Sequence, residues 1–149
     1  MPAGPSILGF VYFVSVKFAG YTAAAYVLKK VYPESPAGVA KVGAARTGIG
    51  IGAGVVYGAL WFLMASKVFH WDQPGHGAQA AIGEYAYLAG LLPVRLAEWL
   101  LLLHLFFDRN LTRRTKGIKS AFAGTAWSYG LDGIGIGAAL VVPGGIWVC

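Results

Sequence analysis

Four ionisable side chains interrupt long apolar runs of this chain: Lys17, Arg95, Glu98 and Asp132. A charge at the centre of a bilayer costs about 2.5–3.5 kcal/mol on insertion scales, so such residues are seldom kept without a partner or a task. Two cations and two anions admit two chemistries. They can neutralise one another across helices and fix their register, Asp132 with Arg95 or Lys17. Alternatively, they can line a water-filled cavity that handles a proton, an ion or a polar headgroup. Arg95 and Glu98 are three residues apart and share a helix face. Pro93, just before them, has no N–H and leaves the Ala89 carbonyl open to another partner. Trp99, next to Glu98, is a candidate for lining a ligand cavity, with lipid-facing or core packing as the plainer expectation.

Other chemistry finds less support. His104 is the only histidine inside an apolar run, so a bis-histidine haem would need a second copy of the chain. His70, Asp72 and His76 share a loop whose imidazoles and carboxylate have metal-ligand character, although solvation is the simpler reading. Gly48, Gly50 and Ala53, and again Gly133, Gly135 and Ala138, fit a G-x-G-x-x-A pattern. A dinucleotide site needs a strand before that pattern, and here it lies within membrane-length apolar runs. Cys149 is the only cysteine, which excludes an intramolecular disulfide or a cysteine-based metal site. No complete catalytic set is evident, and no metal or cofactor is expected.

The elements that must position the charges follow from composition. The chain has 149 residues, 57% of them hydrophobic and 12% charged, against about 25% charged in soluble domains. Four runs approach the ~20 residues that cross a hydrocarbon core, at about 7–28, 44–68, 85–107 and 121–148. The expected fold is an all-α membrane protein, a single four-transmembrane-helix bundle over residues 1–149. A rise of about 1.5 Å per residue puts all four charges near the midplane. Arg46 falls near the inner end of the second run, where its side chain should snorkel to the headgroups.

The net charge is +6, and nine of the twelve basic residues cluster around two connections. Lys29, Lys30, Lys41 and Arg46 flank the first; Arg109, Arg113, Arg114, Lys116 and Lys119 flank the third. The positive-inside rule makes those two connections cytoplasmic and puts both termini outside, in an inner (cytoplasmic) membrane. Attraction to anionic lipid explains this charge better than nucleic-acid binding does. Lys17 interrupts the first run and Lys29 and Lys30 follow it, which suits a retained anchor rather than a cleaved signal. Asn110-Leu111-Thr112 forms a sequon that such a topology would keep silent. Trp61, Trp71, Tyr85 and Trp147 suit the outer aromatic belt.

Glycine marks where helices come close. Gly50, Gly54 and Gly58 recur every four residues, with Gly48 and Gly52 beside them and Gly133, Gly135 and Gly137 in the last run. Such faces pack by van der Waals contact, within the chain or against another. Segments 47–53 and 132–138 resemble each other residue by residue. Two parallel helical-hairpin repeats would explain this, as would coincidence in glycine-rich sequence. The leading functional expectation is a non-catalytic subunit or homo-oligomeric component of a membrane assembly, its partners the lipid bilayer and other copies or proteins. A small transporter or channel using the midplane charges comes second. A membrane enzyme or binding protein for a lipid or quinone, with Glu98 as acid/base and Arg95 on an anionic headgroup, comes third.

Overall fold

The computed structural model describes residues 7–68, 78–109 and 112–138, with side chains given for most of them. These residues form four helices and no strands: α1 (Ile7–Val31), α2 (Val39–Val68), α3 (Ala78–Phe106) and α4 (Arg114–Ala138). Three stretches, Ile7–Val31, Val39–Met64 and Tyr85–Phe106, are long and apolar enough to cross a membrane. That is consistent with a membrane protein. Residues 70–76, with the histidine loop, and residues 139–149, with Trp147 and Cys149, lie outside the described residues, as does Asn110 of the sequon.

Helices run past the limits of the apolar runs, and α2, α3 and α4 all begin earlier than hydropathy implies. α1 stops where Pro33 follows Tyr32, and Lys29 and Lys30 sit at its negative dipole end. The Ser35 hydroxyl donates to the Phe106 carbonyl over 2.6 Å, tying the first connection to the end of α3. Asp108 accepts from the amides of Thr112 and Arg113, both at 3.2 Å, and so fixes the turn that leads into α4 ahead of the expected start. The two matching glycine segments occupy different stretches of their helices. Segment 47–53 lies in the first half of α2, whereas 132–138 closes α4.

Each helix packs against its two neighbours around a ring, leaving α1 diagonal to α3 and α2 to α4. The inward face of α1 reads Gly9, Phe13, Lys17, Tyr21, Ala25 and Leu28, a stripe at near-fourfold spacing. Its outward face carries Phe10, Val11, Phe18 and Val27. Tyr21, Ala25, Leu28, Val42, Trp99, Leu102, Leu103, Ala121 and Leu131 form the apolar core.

One glycine serves each of the four interfaces. A Cβ on Gly43 of α2 would run into the Thr22 backbone of α1, and one on Gly90 of α3 would hit Tyr57 of α2. Gly124 of α4 faces the Trp99 ring of α3, and Gly20 of α1 faces Leu131 of α4. These are not the glycines that the four-residue spacing singles out. Gly48, Gly52, Gly58, Gly133 and Gly137 face open space, and Gly50 lies beside Arg46. Gly54 and Gly135 are buried. Spacing identifies a small face but not which neighbour it meets.

Gly124→Ala drives a methyl into a buried indole and should cost roughly 1–3 kcal/mol, the range for overpacking. Gly58→Ala adds a methyl in open space and should leave stability unchanged or raise it by up to about 1 kcal/mol. Thermal unfolding in mild detergent checks both, and equal melting temperatures for the two variants would contradict this packing.

Candidate functional site

The centre of the bundle holds five charges, not four. Lys17 of α1 and Arg95 of α3 both reach Asp132 of α4, the ammonium pairing with Oδ1 and the guanidinium with Oδ2. Each carboxylate oxygen is therefore held by its own cation. All three side chains are at least 95% buried. The α1 stripe aims Lys17 inward, and Asp132 is on a polar stripe of α4 with Thr125 and Ser128, at the i, i+3, i+7 spacing of one helix face. Asp132 lies in the last third of α4 and Arg95 beyond the midpoint of α3, deeper along each helix than the apolar runs imply.

Arg46 is the fifth charge, and its expected path to the headgroups is not the one taken. It is 1% exposed and donates to Glu98 of α3 over 2.6 Å. Because α2 begins at Val39, Arg46 falls two turns into the helix instead of at its edge. Its guanidinium carbon lies 4.7 Å from the Tyr21 ring centroid and 5.0 Å from that of Trp99. These aromatic faces attract a cation most strongly when water is excluded. They stand where hydrogen-bond partners are otherwise lacking, since Nε and Nη1 of Arg46 are buried without an acceptor among the described residues. Arg95 and Glu98, though three residues apart, turn to different partners.

Ser128 joins the two ion-pair groups. Its Oγ accepts from Trp99 Nε1 at 3.0 Å and, more loosely, from Arg46 Nη2 and the Tyr21 hydroxyl at 3.4 Å. The Tyr21 hydroxyl in turn lies 3.4 Å from Lys17 Nζ. A chain of polar contacts thus runs from Asp132 through Lys17, Tyr21 and Ser128 to Arg46 and Glu98. Arg95 stacks 4.4 Å from the centroid of Tyr129.

The turn before Pro93 is also claimed, though not at Ala89. Tyr57 donates to the Tyr87 carbonyl over 3.0 Å and Tyr129 to the Leu88 carbonyl over 2.8 Å. Trp61 packs on Tyr57 and Tyr87. Trp99 is 1% exposed, with Arg46 against its ring and an apolar crevice between α1 and α4 beside it. Sequence reasoning misplaced Arg46 and overlooked Tyr21, Ser128 and Tyr129. The signal for Ser128 and Tyr21 was present: each stands four residues from a central charge on the same helix.

Chemically, the arrangement fixes registers. Three cations and two carboxylates bind α1, α2, α3 and α4 into one centre, and both carboxylates are engaged by cations. Among the described residues no three His, Cys, Asp or Glu side chains converge as a metal site would require. No protein-family model, no curated protein and no solved structure matches this chain.

Removing one side of a buried ion pair typically costs about 3–5 kcal/mol. Asp132→Asn strands two cations, and its melting temperature in detergent should fall further than that of Lys17→Met, which leaves Asp132 with Arg95. In double-mutant cycles Asp132 should couple to Arg95, and Arg46 to Glu98. An Asp132→Asn protein as stable as the parent would mean that water already solvates these charges.

Proposed function

We propose that the chain is a non-catalytic structural component of a membrane assembly, in which all four helices lie in the bilayer and the central charges set their register. The observation that carries this reading is the pairing of both central carboxylates, Glu98 with Arg46 and Asp132 with Lys17 and Arg95. A proton or solute pathway would bring such groups against a water-filled cavity, and an acid/base catalyst would present Glu98 to a substrate. Here each is turned towards a cation in a buried centre.

The outward glycines supply a contact surface for this role. Gly48 and Gly52 of α2, and Gly133 and Gly137 of α4, are exposed and have nothing near their would-be Cβ positions. Small faces of this kind let a second helix approach closely in lipid, where packing rather than hydrophobicity drives association. The two faces belong to diagonal helices, so one chain offers two contact sites. The basic residues around the first and third connections support placing both on the cytoplasmic side, with both termini outside.

Gly52→Leu together with Gly133→Leu should leave insertion and helix content intact while reducing the assembly in mild detergent to a single chain. Size-exclusion chromatography with light scattering reads this directly, and a parent protein that already runs as a lone monomer would overturn the reading. The topology has its own test. In a Cys149→Ser background, Glu34→Cys and Thr115→Cys should react with an impermeant thiol reagent only after the membrane is opened. Labelling of either in intact cells would invert the orientation.

A further inference from the structure

A crevice of about 270 Å³ runs between α1 and α4, bounded by Ala23, Ala24 and Val27 on one side and Ala123 and Trp127 on the other, with Trp99 at its base. It exists because small side chains face each other across this interface while Trp127 spans it, donating from Nε1 to the Gly20 carbonyl over 3.0 Å. The volume is just short of the ~300–1,000 Å³ that encloses a drug-sized ligand, which suits a single linear chain.

Towards the basic connections the crevice merges with a second hollow. The two share Val31, Ser120 and Ala123, and the second adds Thr115, Lys116 and Lys119. Lys116 is held in place by the Val31 carbonyl, to which its ammonium donates, and by the Tyr32 ring 4.6 Å away. Lys119 is exposed. From Val31 to Ala23 the helix rises by about 12 Å. That is close to the depth of one leaflet in a hydrocarbon core of about 30 Å. An apolar slot one leaflet deep, with two ammonium groups at its polar end, matches the layout of one lipid.

We propose that this slot binds an anionic phospholipid, one acyl chain lying between α1 and α4 and the negative headgroup held by Lys116 and Lys119. Charge complementarity selects the headgroup, since a zwitterionic lipid brings a choline or ethanolamine cation to the same two lysines. The site does not rest on the assembly reading, because it is formed by α1, α4 and Trp99 of one chain.

The test uses the full chain, delipidated in mild detergent and titrated with phosphatidylglycerol or phosphatidylcholine of identical chains brominated at mid-chain. Bromine in the slot quenches Trp127 and Trp99. Phosphatidylglycerol should quench at tenfold or more lower concentration than phosphatidylcholine. Lys119→Gln, a change at an exposed position, should weaken phosphatidylglycerol about fivefold and leave phosphatidylcholine unchanged. Ala123→Phe should abolish quenching by both lipids, with circular dichroism confirming that the helices persist. If Ala123→Phe does not fold, Trp127→Phe in its place should remove most of the quenchable signal. Equal affinity for the two lipids, indifference to Lys119→Gln, or quenching that survives both Ala123→Phe and Trp127→Phe would overturn the proposal.

Discussion

Asp132 is the point on which the bundle depends. Its two oxygens are bound by cations from two different helices, neither of them adjacent to the other in the ring. A single carboxylate therefore joins α1, α3 and α4 at one level. In a bilayer the alternative to pairing is an exposed charge in hydrocarbon, so a slip of one turn on any of the three helices carries an electrostatic cost as well as a packing one. The gain from forming such contacts is modest in membranes, which makes them better at choosing one register than at adding stability.

Around that point the other features are accommodations. Arg46 satisfies Glu98 with one nitrogen and rests its cationic faces on Tyr21 and Trp99. Trp99 in turn needs Gly124 opposite it, because any larger residue would meet the ring. Ser128 takes the indole proton in a hydrogen bond. A polar centre thus imposes a sequence of small and aromatic residues on its neighbours, and the apolar slot beside Trp99 is a by-product of the same alternation.

Much of this was legible in the chain. Apolar runs gave the four elements, and charges inside such runs marked Lys17, Arg95, Glu98 and Asp132 as residues to be brought together. What hydropathy could not convey was where helices end, because polar residues such as Lys41 and Arg114 are as helical as the apolar ones that follow them. That is why Arg46 read as an interfacial residue although two turns of helix precede it. Nor could spacing say which way a glycine faces. Gly43, Gly90, Gly124 and Gly20 are each isolated in sequence yet stand at the four crossings, whereas the regular series at Gly48 and Gly52 points outward.

The separation of Lys17 from Asp132 by 115 residues has a consequence for biogenesis. At roughly 5–20 residues per second the ribosome needs some 6–23 s to supply the counter-ion after the lysine has been made. During that interval α1 carries an unmatched charge, α2 adds Arg46, and α3 adds Arg95 and Glu98, so three central cations and a single central carboxylate precede Asp132. α4 comes last and, over its described residues, lacks the apolarity of the other three. On the proposed four-span reading it would meet a cationic surface already assembled by its predecessors. On that reading, synthesis order makes the least apolar helix a closing piece, recruited by charge where the earlier ones are admitted by hydrophobicity.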